Sequence, residues 1–360
     1  MKTFCSVQSL CRLMAIAGIS LALVIAPGAA SAKEKFRMAW TLYAGWMPWA
    51  YAADNGIIDK WADKYDIEIE VVQLNDYIEA INQFTAGTFD VATMANMDAL
   101  TIPAVGGIDT TVLVLNDYSD GNDTVILKNA DELADIKGRT CNIVELSVSH
   151  YFLARSLEKI GMSERDLTLV NTSDADMAAA FATPATDCVV TWNPMSGEIL
   201  QRDDAVLVSD SSEIPGEIQD MTMIRTEVFE KHPEFAKAMV GAWYETMEIM
   251  TANDAKAEDA KTFMGERAGT DLPGYQKQLD ATRMFYTPQA ALDFITSPDL
   301  PDLAALVAQF SFDKGLYGAG ASDAMFIGIE FPDGSVWGNE DNVKIRYNDS
   351  ILRQAVNGEL

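Results

Sequence analysis

The sequence predicts an α/β protein of two doubly wound domains joined by two crossovers, with a helical later part and a C-terminal β-hairpin. Three observations carry this. Strand-like and helix-like segments alternate along the first part of the chain, the mark of α/β layering. Two extended stretches, residues 122–128 and 220–224, fall where the chain would pass from one alternating unit to another and back. Residues 226–315 turn helical in pattern, and Pro332-Asp-Gly334 then marks a tight turn between extended segments.

Taken in order, residues 36–42 read as a strand, 48–65 as helix broken at Asn55-Gly56, and 67–74 as a second strand. Tyr77, Ile78, Ile81 and Phe84 share one helical face, which Gly87 ends. A strand over residues 90–93, a helix over 97–105 and a β-branched strand over 110–115 complete the first unit. In the second unit, residues 140–145, 167–171, 188–192 and 205–208 read as strands. Val148, Phe152 and Leu157 line one helix between them, and residues 174–181 and 194–200 form two more. The two crossings make residues 33–127 and 220–360 a discontinuous domain, with residues 128–219 inserted as the second. Phe235, Met239, Trp243 and Met247 recur every four residues as a core stripe, whereas the charged run at 254–261 is a solvated face. Residues 325–331 and 343–347 are the extended arms around the terminal turn.

Of 360 residues, 54 are acidic and 26 basic, a formal charge of −28. That excess disfavours nucleic acid and anionic membrane surfaces as partners. An apolar content of 49% with 22% charged residues marks a globular chain. The two histidines, His150 and His232, exclude a three-histidine metal centre. Neither an HExxH pattern nor a phosphate loop is present, so the sequence points to no metal, no cofactor and no catalytic residues. Residues 1–32 read as an export signal: Lys2 and Arg12 precede a short apolar run, and Ala30-Ser31-Ala32 offers cleavage after Ala32. Its removal takes the formal charge from −28 to −30, because two positive charges leave, and places the mature protein in the periplasm. Cys5 and Cys11 leave with it. Cys141 and Cys188 open short apolar runs; if those strands are parallel neighbours they lie at matching heights, and they form either a disulfide or two buried thiols.

In open α/β sheets, ligands bind at the carboxyl ends of strands. Trp40-Thr-Leu-Tyr-Ala-Gly-Trp-Met-Pro-Trp49 places three of seven tryptophans at the first strand-to-helix turn. Trp46 is the one expected to face a cleft, with Trp40 and Trp49 in the core. Aromatic faces hold planar or cationic groups with about 0.5–2 kcal/mol each. Asp98, in a helix's first turn, either complements the helix dipole or meets a cationic ligand. The acids and amides of residues 116–123 read mostly as turn formers, with one or two near the hinge. Glu145 ends an apolar strand, a costly place for a carboxylate without a partner, and is the leading candidate to contact a cation. Ser147 would cap the next helix and present Ser149 and His150, the latter more simply a capping or packing residue. Trp192 and Asn193 end a strand of the inserted domain opposite the other tryptophans, and Glu217 precedes the second crossover. No basic residue joins them: Arg37 and Arg139 begin strands, and Arg155 lies inside a helix. Anion binders recruit a basic fork or several helix N-termini. This pattern points instead to a cation or a planar, donor-rich molecule.

With its export signal, two-unit organisation and the turn at residues 45–56, the chain resembles periplasmic substrate-binding proteins of nitrate/taurine-type ABC transporters. Asn96-Met-Asp-Ala-Leu-Thr-Ile-Pro-Ala104, Glu145-Leu-Ser-Val-Ser-His-Tyr151, Asn171-Thr-Ser-Asp-Ala-Asp176, Val190-Thr-Trp-Asn-Pro194 and Gly328-Ile-Glu-Phe-Pro-Asp-Gly334 are similar to the subgroup encoded beside urea carboxylase. Enzymes encoded next to that subgroup are linked to guanidine breakdown. The resemblance implies a two-lobed periplasmic-binding-protein fold of type II and a monomer without enzymatic activity. It also implies a small-molecule ligand, guanidinium or urea, and an ABC permease of the inner membrane as partner. The residues favour guanidinium, which is planar, cationic and all donor, over urea, whose carbonyl needs a donor. A receptor for a sulfonate- or taurine-like anion is the alternative on the same fold. An enzyme resembling thiamine-pyrimidine synthase is a weaker alternative, since one histidine lies near the cleft.

Overall fold

The computed structural model describes residues 32–360, so the export signal expected over residues 1–32 lies, apart from Ala32, outside the described residues. Two sheets organise the rest. The first begins with β1 (Glu34–Trp40), β2 (Ile67–Gln73), β3 (Val91–Ala95) and β4 (Thr110–Ser119). The second contains β5 (Thr124–Lys128), β6 (Thr140–Ile143), β7 (Thr168–Asn171), β8 (Cys188–Thr191) and β9 (Ala205–Asp210). The chain then returns to the first sheet with β10 (Gln219–Arg225), β11 (Thr282–Met284), β12 (Gly328–Glu330), β13 (Val336–Trp337) and β14 (Val343–Tyr347). Among the described residues the first sheet runs β13-β12-β14-β4-β10-β3-β1-β2 with β11 on β4, and the second β7-β6-β8-β5-β9. Each sheet with its helices is a lobe below, and both belong to one compact unit, residues 34–360.

The stretches expected to cross between units are strands inside the sheets. β5 pairs antiparallel with both β8 and β9, and β10 lies antiparallel between β3 and β4. Apolar, extended segments such as these carry backbone groups that a hinge would leave unpaired, and burial drives them into a ladder. The chain therefore changes lobe at residues 120–123 and 211–218, before each expected position. Pro332-Asp-Gly334 does turn a hairpin, β12 to β13, but the later arm β14 inserts parallel between β12 and β4. β11 interrupts a region whose composition reads as helical throughout.

The long helix Pro233–Thr251 buries Phe235, Met239, Trp243 and Met247 as its four-residue stripe requires. Trp40 and Trp49 are core residues; the Trp49 indole lies tilted against Trp243 at 4.9 Å and donates to the Thr222 hydroxyl. Cys141 and Cys188 stand directly opposite each other on the parallel strands β6 and β8 and are joined as a disulfide. It closes a loop of 47 residues, for which chain entropy gives about 2–4 kcal/mol of stability. Replacing both cysteines by serine should lower the free energy of unfolding by that amount, and the urea midpoint with it. A denaturation curve unmoved by reductant would show that the bridge adds nothing.

Candidate functional site

A small cavity lies between the lobes, lined by the buried residues Tyr43, Trp46, Tyr77, Asp123, Val148, Trp192 and Asp220. Each residue is delivered by the end of an element. Tyr43 and Trp46 follow β1, and Tyr77 opens α3, which we number after α1 (Met47–Asp54) and α2 (Ile57–Lys64) and which spans Tyr77–Thr85. Asp98 lies in α4 (Asn96–Ala99), directly after β3, and Val148 opens α5 (Val148–Lys159). Trp192 follows β8, Asp123 sits on the first lobe connection, and Asp220 is on β10.

The aromatic rings form a connected wall. Tyr43 meets Trp46 edge-on at 4.9 Å, Trp46 stacks with Tyr77 at 6.0 Å, and Tyr77 meets Trp192 edge-on at 5.4 Å. The Trp192 indole donates to the Leu42 carbonyl across the cleft at 3.1 Å, which fixes its ring. The Trp46 indole N–H has no partner. Gly45 is required at its position, since a Cβ there would collide with the Asp117 carboxylate and the Tyr43 ring.

Four aspartates are buried around this wall: Asp98, Asp117, Asp123 and Asp220. Asp117 on β4 and Asp220 on β10 are direct cross-strand neighbours. Asp117 Oδ1 accepts from the Tyr43 hydroxyl at 2.8 Å, and Asp98 Oδ2 accepts from the Tyr77 hydroxyl at 2.6 Å. Asp98 Oδ1, Asp117 Oδ2 and Asp220 Oδ2 have no hydrogen-bond partner. Burial pushes Asp98 up to about 7, against the opposing hydrogen bonds from Tyr77 and Val148. Burial likewise takes Asp123 to about 6. Asp220 is raised well above the ordinary carboxylate range by burial and then by the charges of Asp117 and Asp123, and burial raises Asp117 as well. Such a cluster is unfavourable as long as its buried carboxylates have no opposite charge to balance them.

No lysine, arginine or histidine lines the cavity among the described residues. Arg155 on α5 is committed to Glu217, with Nε and Nη2 at 2.9 and 2.8 Å from its two oxygens. Tyr151 adds a third bond to Glu217 at 2.7 Å. Glu217 is thereby a buried structural ion pair and not a free carboxylate.

Of the residues expected from sequence, the structure brings Trp46 and Trp192 to the cavity, with Asp98 bonded to two of its lining residues. Glu145 lies apart from the cavity lining. β6 ends at Ile143, and Glu145 faces solvent with its backbone N–H held by Asn171, so no burial cost demands a partner. Ser147 is the cap of α5, accepting from Ser149 N–H and donating to the Val144 carbonyl. His150 Nδ1 accepts from Leu146 N–H, and burial lowers its pKa, which suits a neutral packing residue. Asn193 joins the lobes through its backbone, accepting from Ala44 N–H and donating to Asn122, and lines a separate open groove of about 1070 Å³. Tyr43, Tyr77, Asp117, Asp123 and Asp220 were not singled out. For Asp117 a signal existed: it continues the β-branched run of β4, the same costly position argued for Glu145.

The profile of the NMT1-like family matches residues 29–264. A binding protein of Brucella abortus is 24% identical over 246 residues, covering 67% of this chain and 75% of its own. The taurine-binding periplasmic protein of Escherichia coli is 25% identical over 208 residues, covering 55% of this chain and 63% of its own. The alkanesulfonate-binding protein SsuA of Xanthomonas axonopodis superposes with a TM-score of 0.68 at 15% identity, covering 82% of this chain and 99% of that one. The fold is thus the α/β fold of periplasmic binding proteins.

Proposed function

The chain belongs to the NMT1-like family, and from that premise we propose that it is the periplasmic solute receptor of an ABC importer and that its solute is guanidinium. One observation carries the choice of solute. Asp117 and Asp220 face each other across paired strands, each with an unpartnered oxygen, and Asp220 and Asp123 line a small cavity together with four aromatic rings. A planar cation with donors on every edge satisfies such oxygens and stacks on the rings. Its lining residues are buried, so each charge-assisted bond counts for more than at the surface. The role in transport rests on the relatives, which are named as binding proteins. Delivery of the closed, loaded form to a membrane permease completes it.

The unpartnered Trp46 N–H favours a second reading, a solute that also carries an acceptor, such as urea. The names of the taurine and alkanesulfonate proteins suggest an anion, for which the cavity supplies no basic residue. Calorimetric titration with guanidinium, urea, methylguanidine and taurine separates these. Guanidinium should bind about tenfold or more tightly than the others; a preference for taurine would overturn the reading.

Trp46→Ala should cost about 0.5–2 kcal/mol of guanidinium affinity, and Trp46→Phe should recover part of it. Tryptophan emission in the wild type should change on saturation, since Trp46 and Trp192 both line the cavity. Constant emission at saturating guanidinium would remove the aromatic wall from the site.

A further inference from the structure

Two helices begin at the cleft, one from each lobe: α3, of nine residues, and α5, of twelve. A helix N-terminus presents unpaired N–H groups and the positive end of the helix dipole, and it attracts an anion. In this chain both are already filled, each by a carboxylate from the opposite lobe. Val148 N–H, the first of α5, donates to Asp98 Oδ2 of the first lobe at 3.2 Å. Tyr77 N–H, the first of α3, donates to Asp174 Oδ1 of the second lobe at 3.1 Å. The Tyr77 hydroxyl donates in turn to Asp98, so Asp174, Tyr77, Asp98 and Val148 form one continuous chain that crosses the cleft twice. Both acids are buried, with relative exposures of 0% for Asp98 and 2% for Asp174. Asp98 Oδ1 is left without a partner inside the protein. Beside this chain, Ser173 of the second lobe donates to Asp76, the cap of α3, at 2.7 Å.

We propose that Asp98 and Asp174 are positioning residues that shut the lobes and set the sign of the accepted charge, because each fills a helix N-terminus where an anionic solute would sit. The inference deepens the cation reading of the same site and rests on it for the identity of the solute. Tyr77 and Val148 line the cavity, so seating the two caps also seats the cavity wall. The tethered carboxylates add negative charge beside the cavity, and with both helix ends occupied an anion meets no free donor pair there. Closure and charge selection then depend on the same two side chains.

The test compares wild type with Asp98→Ser and Asp174→Asn, using guanidinium chloride and sodium methanesulfonate as probes and sodium chloride as the control. Binding is read by calorimetry and thermal shift, and closure by small-angle scattering. Wild type should contract with guanidinium and ignore methanesulfonate. Asp98→Ser should bind guanidinium at least about tenfold more weakly, stay extended, and gain thermal stabilisation by methanesulfonate at the vacated α5 terminus. Asp174→Asn should weaken closure with a smaller loss of affinity. Asp98→Asn keeps the shape if the serine variant does not fold; its amide oxygen still fills the α5 terminus, so it should weaken guanidinium binding and closure without the gain of anion response. Asp98 variants that contract like wild type and ignore methanesulfonate overturn the proposal, as does a wild type stabilised by methanesulfonate. A wild type indifferent to guanidinium, beside an Asp98→Ser that still gains methanesulfonate, would sink the guanidinium reading and support this one.

Discussion

Asp220→Asn should weaken guanidinium binding by about ten- to a hundredfold while making the empty protein more stable. The two effects share one cause. Asp220 and Asp117 are held opposite each other by the antiparallel register of β10 and β4, and like charges at such positions repel. Both are buried with an oxygen that finds no partner, a desolvation cost of about 1–3 kcal/mol for each group. The amide keeps the shape of the side chain, removes one charge, and can donate to Asp117. Stability of the empty fold should therefore rise, most visibly above neutral pH where both acids would otherwise ionise. The cation loses a charge-assisted bond worth about 1.5–3 kcal/mol, which sets the fall in affinity. Calorimetry and thermal melting on the same preparation check both signs. A variant that melts higher yet binds unchanged would take Asp220 out of the site.

Guanidinium affinity should climb steeply between about pH 5 and pH 8, with protons released on binding. Burial pushes Asp98 up to about 7 and Asp123 up to about 6 in the empty site, and it also raises Asp220 well above the ordinary carboxylate range. Below these values the carboxyls are neutral and cannot balance the cation, whereas bound guanidinium holds them ionised. Each proton displaced contributes up to about tenfold in affinity per pH unit. For the empty protein the sign is opposite. A carboxyl whose folded pKa exceeds its unfolded value contributes stability that is complete below the unfolded value, about 4, and lost as pH rises through the folded value. The empty protein should thus lose stability from pH 4 towards pH 7 through these groups, and saturating guanidinium should restore it. Titrations in buffers of different ionisation heat count the protons released. A pH-independent affinity across this window would mean that these aspartates do not sense the charge of the solute.

Much of the fold was legible in the chain because alternation, helical periodicity and turn residues are local signals. The Phe235–Met247 stripe, the Ser147 cap and the Pro332-Asp-Gly334 turn each follow from spacing alone. So did Trp46, because a glycine-flanked tryptophan at a strand-to-helix turn cannot readily bury itself in its own element. Tyr77 was legible only as part of an apolar helical face, since periodicity states that a face is covered and not whether core or cavity covers it. Glu145 and Asp117 both follow apolar runs, yet one points to water and the other is buried against the Tyr43 hydroxyl. That difference depends on where each strand stops and on which strand lies beside it. Sequence by itself determined the layered α/β class, the aromatic turn after the first strand and the absence of a basic residue near it. Only the tertiary structure decided which carboxylates meet. The pairing of Asp117 with Asp220 arises from a strand that returns from the second sheet to lie antiparallel in the first, and the capping of each cleft helix arises from an acid on the opposite lobe. Such contacts join residues far apart in the chain, where side-chain burial and register are set by long-range packing that no local pattern encodes.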